Sequence, residues 1–194
     1  MAQSAPRLLA LAAMTLVTLG SPAWADEQSV NLPIERFNKV DDRLYRGAQP
    51  TEAGFKKLKE LGIKTIVNLR MDADAIKTGE QKIVEGLGLK YVSIPVEDGN
   101  FFTRDRTIPD EAIRAFFKLI DAVDEGPIFV HCHRGADRTG ALVAFYRIGR
   151  QGWQADKAAK EARDIGMRSW YKGLQKQILE FTPAALTTVL SSQN

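Results

Sequence analysis

Two kinds of hydrophobic pattern alternate along the chain. Residues 63–69 and 128–131 are short runs rich in apolar and β-branched side chains. Such runs are typical of strands that are buried on both faces of a parallel sheet. Residues 51–61 and 109–123 instead carry apolar side chains at helical spacing, which predicts amphipathic helices. Gly62 follows the first of these helices and provides a stop signal.

The same patterns predict strands and helices along the rest of the chain. The predicted strands are 44–46, 63–69, 89–96 and 128–131. The predicted helices are 51–61, 75–87, 109–123, 138–151, 154–165 and 171–181. Strands that alternate with helices predict an α/β fold, with a mostly parallel central sheet flanked by helices and a helical C-terminal part.

The domain organisation predicted from these patterns is simple. No internal repeat, low-complexity tract or long linker divides the chain, and its 194 residues suit a single domain. We therefore expect one folded domain at residues 43–185. Residues 26–42 lack a periodic pattern and are predicted to be an irregular lead-in, and residues 186–194 are predicted to be a C-terminal tail.

The first 25 residues have the layout of a cleaved secretory signal. Arg7 precedes the apolar run Leu8–Leu19, and Ala23-Trp24-Ala25 puts small residues at the positions that a signal peptidase reads. A helix over the apolar run reaches roughly 18 Å at ~1.5 Å per residue, which is short of the ~30 Å hydrocarbon core of a bilayer. We therefore expect an exported protein, periplasmic or secreted, that begins near Asp26 and is not stably inserted in the membrane after cleavage.

Composition and charge exclude several classes of protein. Hydrophobic residues make up 44% of the chain and charged residues 26%, which excludes both a disordered chain and a protein with many membrane spans. The formal net charge is only +3 at pH 7. This mild basicity suits an anionic substrate but does not indicate a nucleic-acid partner.

The single cysteine, Cys132, is the strongest candidate for chemistry. It lies directly after the predicted strand 128–131 and before the predicted helix 138–151, in the sequence HCHRGADRTG that begins at His131. In α/β folds, ligands bind beyond the carboxyl ends of the strands. Because no second cysteine is present, Cys132 has no partner for an internal disulfide, and it is either a buried apolar residue or a reactive thiol.

The residues after Cys132 are suited to binding a phosphate. A tight turn between a strand and a helix directs backbone N–H groups and the positive end of the helix dipole toward one point. Gly135 permits an unusual backbone angle, and Arg138 offers a planar fork that matches two phosphate oxygens. The same positive field favours the thiolate of Cys132, to whose sulfur Thr139 is placed to donate a hydrogen bond.

The pattern Cys-x5-Arg-Thr after a histidine resembles the active-site signature of the protein tyrosine and dual-specificity phosphatase superfamily. Residues 44–50, 54–55 and 61–70 are similar to the opening of its atypical bacterial, plant and fungal dual-specificity branch. The resemblance implies that Cys132 is the nucleophile, that a phosphocysteine forms, and that neither a metal nor another cofactor is needed. It also implies a substrate-binding loop composed of His133, Arg134, Gly135, Ala136, Asp137, Arg138 and Thr139.

The general acid that protonates the leaving group has several candidates. The family usually places an aspartate on a loop after an earlier strand, and Asp98 fits that pattern best. Glu97 and Asp105 are alternatives on the same loop. Asp137 is another, because phosphatases of the myotubularin type carry an aspartate next to the loop arginine. A positioned carboxyl group contributes ~10²–10⁴ in rate.

Other residues have less specific predicted roles. Arg46 and Gln49 lie in a stretch that the family shares, and we expect them to support the loop. Arg70 follows a predicted strand and either reaches substrate or forms a surface ion pair. The aromatic run 168–172 either borders the cleft or packs against core helices, of which core packing is the commoner role. We expect the side chain of His133 to face the substrate.

The substrate and two other functions stay open at this point. A phosphorylated protein and a phosphoinositide or inositol phosphate both suit the loop, and Ala136 replaces the lysine that some lipid-directed loops carry. A rhodanese-like sulfurtransferase also uses a cysteine on an anion-binding loop, although Arg138-Thr139-Gly140 favours phosphate. A non-catalytic phosphate-binding pseudophosphatase would keep the same fold without turnover.

Overall fold

Five short strands form one sheet in the order β1-β2-β5-β3-β4. They are β1 (Asn38–Lys39), β2 (Leu44–Gly47), β3 (Thr65–Asn68), β4 (Lys90–Ser93) and β5 (Ile128–His131). The neighbours from β2 to β4 are parallel, and only β1 is antiparallel to its neighbour. The mostly parallel sheet that the sequence predicts is therefore confirmed. The structure is a computed structural model that describes Met1, residues 32–122 and residues 126–192.

Helices connect the strands and follow the last of them. They are α1 (Glu52–Glu60), α2 (Asp72–Thr78), α3 (Glu80–Gly86), α4 (Asp110–Asp121), α5 (Arg138–Gln151), α6 (Ala155–Asp164), α7 (Lys172–Glu180) and α8 (Pro183–Ser191). Thr51 caps α1, because its side chain accepts a hydrogen bond from the N–H of Gly54. None of the helices within the described ranges has both the length and the apolar character that crossing a bilayer requires.

Successive residues of the central strands enter two different cores. In β3, Ile66 packs with the residues of α1 and α3, whereas Val67 packs with those of α4 to α8. In β5, Phe129 belongs to the first core and Val130 to the second. Since side chains alternate across a strand, the two cores lie on opposite faces of the sheet. This arrangement confirms the predicted α/β fold.

Two parts of the sequence prediction differ from the structure. The segment predicted as one helix over 75–87 is two helices, because Gly79 adopts a left-handed backbone with φ of 63° between α2 and α3. The packed domain also extends beyond the predicted range of 43–185. Helix α8 passes through residue 185, and its Leu186 and Val189 are buried in the core.

The predicted lead-in also contributes to the folded domain. Leu32, Ile34 and Val40 are buried, and β1 pairs with β2. These segments are too short to show a clear hydrophobic period, which is why the sequence pattern did not reveal them. The predicted signal peptide at 1–25 and the start of the lead-in lie outside the described residues, apart from Met1.

Candidate active site

The loop that carries Cys132 joins the central strand β5 to the long helix α5. We call residues 132–138 the cysteine loop. Strand β5 ends at His131 between β2 and β3, and α5 begins at Arg138. Cys132 itself is almost completely buried, with 2% of its surface exposed. The nucleophile predicted from the sequence therefore lies at the carboxyl edge of the sheet, as expected for a ligand site in this kind of fold.

A cavity of about 110 Å³ opens at this loop. Three segments that are far apart in sequence contribute to its wall: the cysteine loop, the segment after β4 and the segment that precedes α7. Its lining residues are Asp98, Cys132, His133, Arg134, Asp137, Arg138, Arg168 and Tyr171. The structure thus brings together most of the predicted site residues. Gly135, Ala136 and Thr139 are buried and do not line the cavity.

The backbone of the cysteine loop is held from outside through its carbonyl groups. The carbonyl of His133 accepts a hydrogen bond from the backbone N–H of Gln49 at 3.2 Å. The carbonyl of Arg134 accepts from Arg36 Nη1 at 3.2 Å, and that of Gly135 accepts from Arg46 Nη2 at 2.7 Å. Among the described residues, none accepts a hydrogen bond from the N–H groups of residues 133–137. Together with the N-terminus of α5, these N–H groups form a site suited to an anion.

The arginine that holds Gly135 is itself buried. Burial lowers the pKa of Arg46 to about 10, although Glu161 and Cys132 oppose the shift. The predicted support of the loop by Arg46 and Gln49 agrees with these contacts. Arg36 was missed, because it lies in the stretch predicted to be an irregular lead-in and no motif singles it out.

Gly135 is required where the cysteine loop passes the end of β2. Its φ is 68°, in the left-handed region that favours glycine. A Cβ at this position would lie 2.2 Å from the carbonyl carbon and oxygen of Gly47. No larger residue fits without a movement of one backbone or the other.

Arg138 is fixed by the ends of the sheet and by the predicted general acid. Its Nη1 donates to the carbonyl of Val96 at 3.0 Å and, more weakly, to that of Leu69 at 3.4 Å. Its Nη2 lies 3.1 Å from Oδ2 of Asp98. The guanidinium is therefore held in one orientation at the edge of the cavity.

Asp98 combines exposure with a fixed orientation. Its side chain is 58% exposed, and Oδ1 accepts a hydrogen bond from the Tyr171 hydroxyl at 3.0 Å. The same hydroxyl lies 2.7 Å from the carbonyl oxygen of Gly99. Burial, with a smaller contribution from Asp98, raises the pKa of Tyr171 to about 12. Tyr171 is thus both a buried aromatic residue and part of the site, which the sequence pattern alone did not decide.

The alternative carboxylates are less suited to proton transfer. Asp137 is buried, since its side chain is 6% exposed against 58% for Asp98. Its Oδ2 lies 2.8 Å from Arg134 Nη1, and its Oδ1 accepts from the N–H of Arg168 at 2.9 Å. Glu97 pairs with Arg106 at 2.7 Å. Neither Glu97 nor Asp105 lines the cavity. The geometry favours Asp98, and its role stays a prediction.

A comparison with known proteins identifies the family. A family model described as DSP-PTPase phosphatase fused to NAD+ kinase matches residues 18–176, which is most of the chain. The chain belongs to the DSP-PTPase phosphatase family. The resemblance seen in the cysteine loop is thereby confirmed at the level of the family.

Curated relatives of this phosphatase family member include bacterial and plant proteins. Dual specificity protein phosphatase TpbA of Pseudomonas aeruginosa (strain UCBPP-PA14) is 33% identical over 146 residues, which are 75% of this chain and 60% of that protein. Inositol diphosphatase DSP2 of Oryza sativa subsp. japonica is 29% identical over 124 residues, which are 64% of this chain and 59% of that protein. The matched region is therefore about 60% of the length of these relatives.

Solved phosphatase structures share the fold. A crystal structure of P. aeruginosa TpbA, as a Cys-to-Ser variant in complex with phosphotyrosine, has 26% identity and a TM-score of 0.65. The match covers 89% of this chain and 99% of that one. The core catalytic domain of the PP-IP phosphatase SIW14 from S. cerevisiae, in complex with citrate, has 22% identity and a TM-score of 0.63 over 82% of this chain and 93% of that one. The match to SIW14 shows only that the two proteins share a fold.

Behind the cysteine loop of this phosphatase domain lies a buried polar network that sequence analysis missed. His131 Nε2 is 2.8 Å from Oε1 of Glu80, and both side chains are buried. Gln49 and Asn68 also donate to Glu80. Glutamate is rarely buried, and residue 80 falls within the segment predicted as one continuous helix, so no sequence pattern indicated this contact.

Two further features concern the chemistry of the site. The hydroxyl of Thr139 is buried and has no hydrogen-bond partner among the described residues, so its predicted bond to the Cys132 sulfur is not formed in this structure. Within residues 32–122 and 126–192, no cluster of three or more His, Cys, Asp or Glu side chains is arranged to hold a metal ion.

Proposed function

We propose that this chain is a cysteine-dependent phosphatase that hydrolyses phosphate monoesters through a phosphocysteine intermediate. One observation carries the proposal: Cys132, Arg138 and Asp98 line the same cavity at the N-terminal end of α5. A nucleophile, a fixed cation and an exposed carboxyl group are the groups that transfer of a phosphoryl group to a thiolate requires. Membership of the DSP-PTPase family supports the same conclusion.

In the first step, the substrate phosphate occupies the N–H groups of the cysteine loop and the guanidinium of Arg138. The Cys132 thiolate attacks phosphorus in line, so that a sulfur–phosphorus bond forms as the bond to the leaving oxygen breaks. Asp98, in its protonated form, gives its proton to that oxygen. The loop amides and Arg138 carry the charge on the remaining phosphate oxygens.

In the second step, water attacks the phosphocysteine. The Asp98 carboxylate takes a proton from this water, inorganic phosphate forms, and Cys132 leaves as a thiolate. The protein then returns to its starting state with no net change in its protons. No oxidant, reductant or metal enters either step.

Substrate binding opens the ion pair between Arg138 and Asp98. In the free protein Nη2 of Arg138 lies 3.1 Å from Oδ2 of Asp98. A phosphate dianion that takes both prongs of the Arg138 fork displaces this contact. Asp98 then remains on the Tyr171 hydroxyl, which is hydrogen-bonded to its other oxygen. The acid is thereby left on the leaving-group side of the phosphate.

For the substrate, we propose a phosphotyrosine-containing protein first. The TpbA variant whose structure resembles this one was crystallised with phosphotyrosine. A phosphorylated inositol is the second candidate, because Arg134 and Arg168 add cations to the cavity wall beside Arg138. The name of the plant relative, an inositol diphosphatase, agrees with this alternative. Rates on a phosphotyrosine peptide and on inositol polyphosphates, measured at equal concentration, decide between them.

We also propose that the protein acts outside the cytoplasm, in a periplasm or after secretion. The support is the sequence of Arg7, the apolar run Leu8–Leu19 and the small residues around Trp24. N-terminal sequencing of the protein recovered from an exported fraction is expected to begin at Asp26. Recovery of the uncleaved chain from the cytoplasm alone would contradict this proposal.

The experiment that tests the phosphatase activity is release of phosphate from an aryl phosphate by residues 26–194, with EDTA and a thiol reductant present. We expect release by the wild-type protein, inhibition by vanadate, and no release by Cys132→Ser. Transfer of sulfur from thiosulfate to cyanide without phosphate release would favour the sulfurtransferase. Tight binding of a phosphopeptide by wild-type protein without turnover would favour a non-catalytic phosphate-binding protein.

A further inference from the structure

Three donors converge on one buried carboxylate behind the cysteine loop. Glu80 Oε1 lies 2.8 Å from His131 Nε2. Its Oε2 accepts from Gln49 Nε2 at 2.9 Å and from Asn68 Nδ2 at 3.2 Å. The side chains of His131 and Glu80 are 0% and 1% exposed. The mechanism described above uses none of these groups, although His131 precedes the nucleophile directly.

Both ring nitrogens of His131 face oxygen acceptors. Nε2 faces the Glu80 carboxylate, and Nδ1 lies 3.3 Å from the carbonyl oxygen of Cys132. An ionised carboxylate and a backbone carbonyl only accept hydrogen bonds. A neutral imidazole has one N–H and leaves the second acceptor without a proton, whereas an imidazolium has two and satisfies both.

Among the described residues, no other charged side chain contacts His131 or Glu80 directly. The imidazole ring is flanked by the rings of Phe55 and Phe129. Arg70 and Tyr91 reach the pair only through amides, since Arg70 is hydrogen-bonded to Gln49 and Tyr91 to Asn68. Cys132, the next residue along the chain, packs in the core on the other face of the sheet from Phe55 and Phe129. A buried charge needs a partner, and Glu80 supplies it to His131.

We propose that Glu80 is a positioning residue that keeps His131 as an imidazolium. The Nδ1–H then donates to the carbonyl of Cys132 and fixes the backbone at the nucleophile. The positive charge is thereby linked, through the Cys132 carbonyl, to the residue that carries the nucleophile, and a cation near a thiol favours its thiolate. The catalytic consequence rests on the proposed phosphatase function, whereas the protonation state does not.

Replacing Glu80 with glutamine separates charge from shape. Glutamine keeps the length of the side chain but has one acceptor oxygen, so its NH₂ group must face at least one of the three donors. We expect kcat to fall about 10- to 100-fold, the range for loss of one charge-assisted hydrogen bond. The KM and the affinity for vanadate should change less than about threefold, because the loop N–H groups and Arg138 are not altered.

A matched control lies on the same helix. Glu85 of α3 is exposed and accepts a hydrogen bond from Gln81. Glu85→Gln removes the same charge from the surface and is expected to leave kcat unchanged. Equal losses of kcat in Glu80→Gln and Glu85→Gln, or a Glu80→Gln variant with wild-type kcat, would overturn the proposal.

Nitrogen-15 NMR of the imidazole rings tests the protonation state directly. The sequence has only two histidines, so a His133→Gln variant assigns the signals of His131. At neutral pH we expect two protonated ring nitrogens for His131 in the wild type and one in Glu80→Gln. A neutral His131 in the wild type would refute the proposal even if Glu80→Gln fails to fold.

The two proposals fail separately. A wild-type protein that releases no phosphate but holds His131 as an imidazolium contradicts the phosphatase function and keeps the Glu80 pair. In that case the rate of Cys132 alkylation by iodoacetamide replaces kcat as the readout, and it should be lower in Glu80→Gln. An active wild type with a neutral His131 contradicts only the inference about Glu80.

Discussion

Replacing Gly135 with alanine adds one methyl group where the cysteine loop passes against the backbone of Gly47. The new Cβ would lie 2.2 Å from the carbonyl carbon and oxygen of Gly47, whereas ordinary contact begins near 3.4 Å. The loop must therefore move by about 1 Å, and a misplacement of this size costs on the order of 10²-fold in rate. We expect kcat/KM to fall by about that factor.

The stability cost has two parts that a matched variant separates. Gly152 has the same φ of 68°, but nothing lies within 4 Å of a Cβ built on it. Gly152→Ala should cost about 1–2 kcal/mol for the left-handed backbone alone. Gly135→Ala should cost a further ~1–3 kcal/mol for the close contact. With a urea slope of ~2 kcal/mol/M, the two midpoints should differ by about 0.5–1.5 M.

Urea unfolding followed by circular dichroism, beside phosphate release by each variant, measures both effects. Gly152→Ala should lose stability and keep its activity, whereas Gly135→Ala should lose both. Equal urea midpoints together with full activity of Gly135→Ala would refute the reasoning, because the contact with Gly47 would then not hold the loop in its active conformation.

Further predictions concern the acid and its tyrosine. Asp98→Asn should lower kcat by ~10²–10⁴ and remove the basic limb of the pH–rate profile. The control Glu97→Gln should change neither. If Asp98→Asn keeps the basic limb, another group donates the proton. Tyr171→Phe should lower kcat about tenfold, because Asp98 and the carbonyl of Gly99 lose the hydroxyl group that donates to them. The control Tyr146→Phe removes a hydroxyl that donates to Asp41 and should leave kcat unchanged. Ultraviolet titration should find Tyr171 protonated until about pH 12, against an ordinary value of 10.0. Because the pKa of Tyr171 is higher in the folded than in the unfolded protein, its contribution to the free energy of unfolding is complete below pH 10 and is lost as the pH rises toward 12. Ionisation of Tyr171 at its ordinary pKa would contradict this prediction.

The elements that sequence patterns predict best are those whose signals are local. The strand Ile128–His131 and the helix Arg138–Gln151 have the predicted bounds, because an apolar run and a loop rich in polar residues mark both. The cysteine loop was recognised for the same reason, since all its chemical groups lie within a few consecutive residues. The break at Gly79 was missed because a single glycine inside a helical pattern is often tolerated.

The parts of the site that sequence could not predict depend on contacts between distant segments. Arg36 is 98 residues from the carbonyl it holds, and Glu80 is 51 residues from His131. Tyr171 is 73 residues from Asp98. No local period or motif relates such positions, so only the packed fold reveals that they meet. The prediction of Asp98 relied instead on a family pattern, and the structure brings it to the cavity.

The most direct test of the central claim is detection of the phosphocysteine itself. Rapid acid quenching during turnover of an aryl phosphate, followed by mass spectrometry, should find a phosphoryl group on the peptide that contains Cys132. The same treatment of Cys132→Ser should yield neither a phosphorylated peptide nor released phosphate. Phosphate release by Cys132→Ser at the wild-type rate, with no adduct on Cys132 in the wild type, would contradict the mechanism.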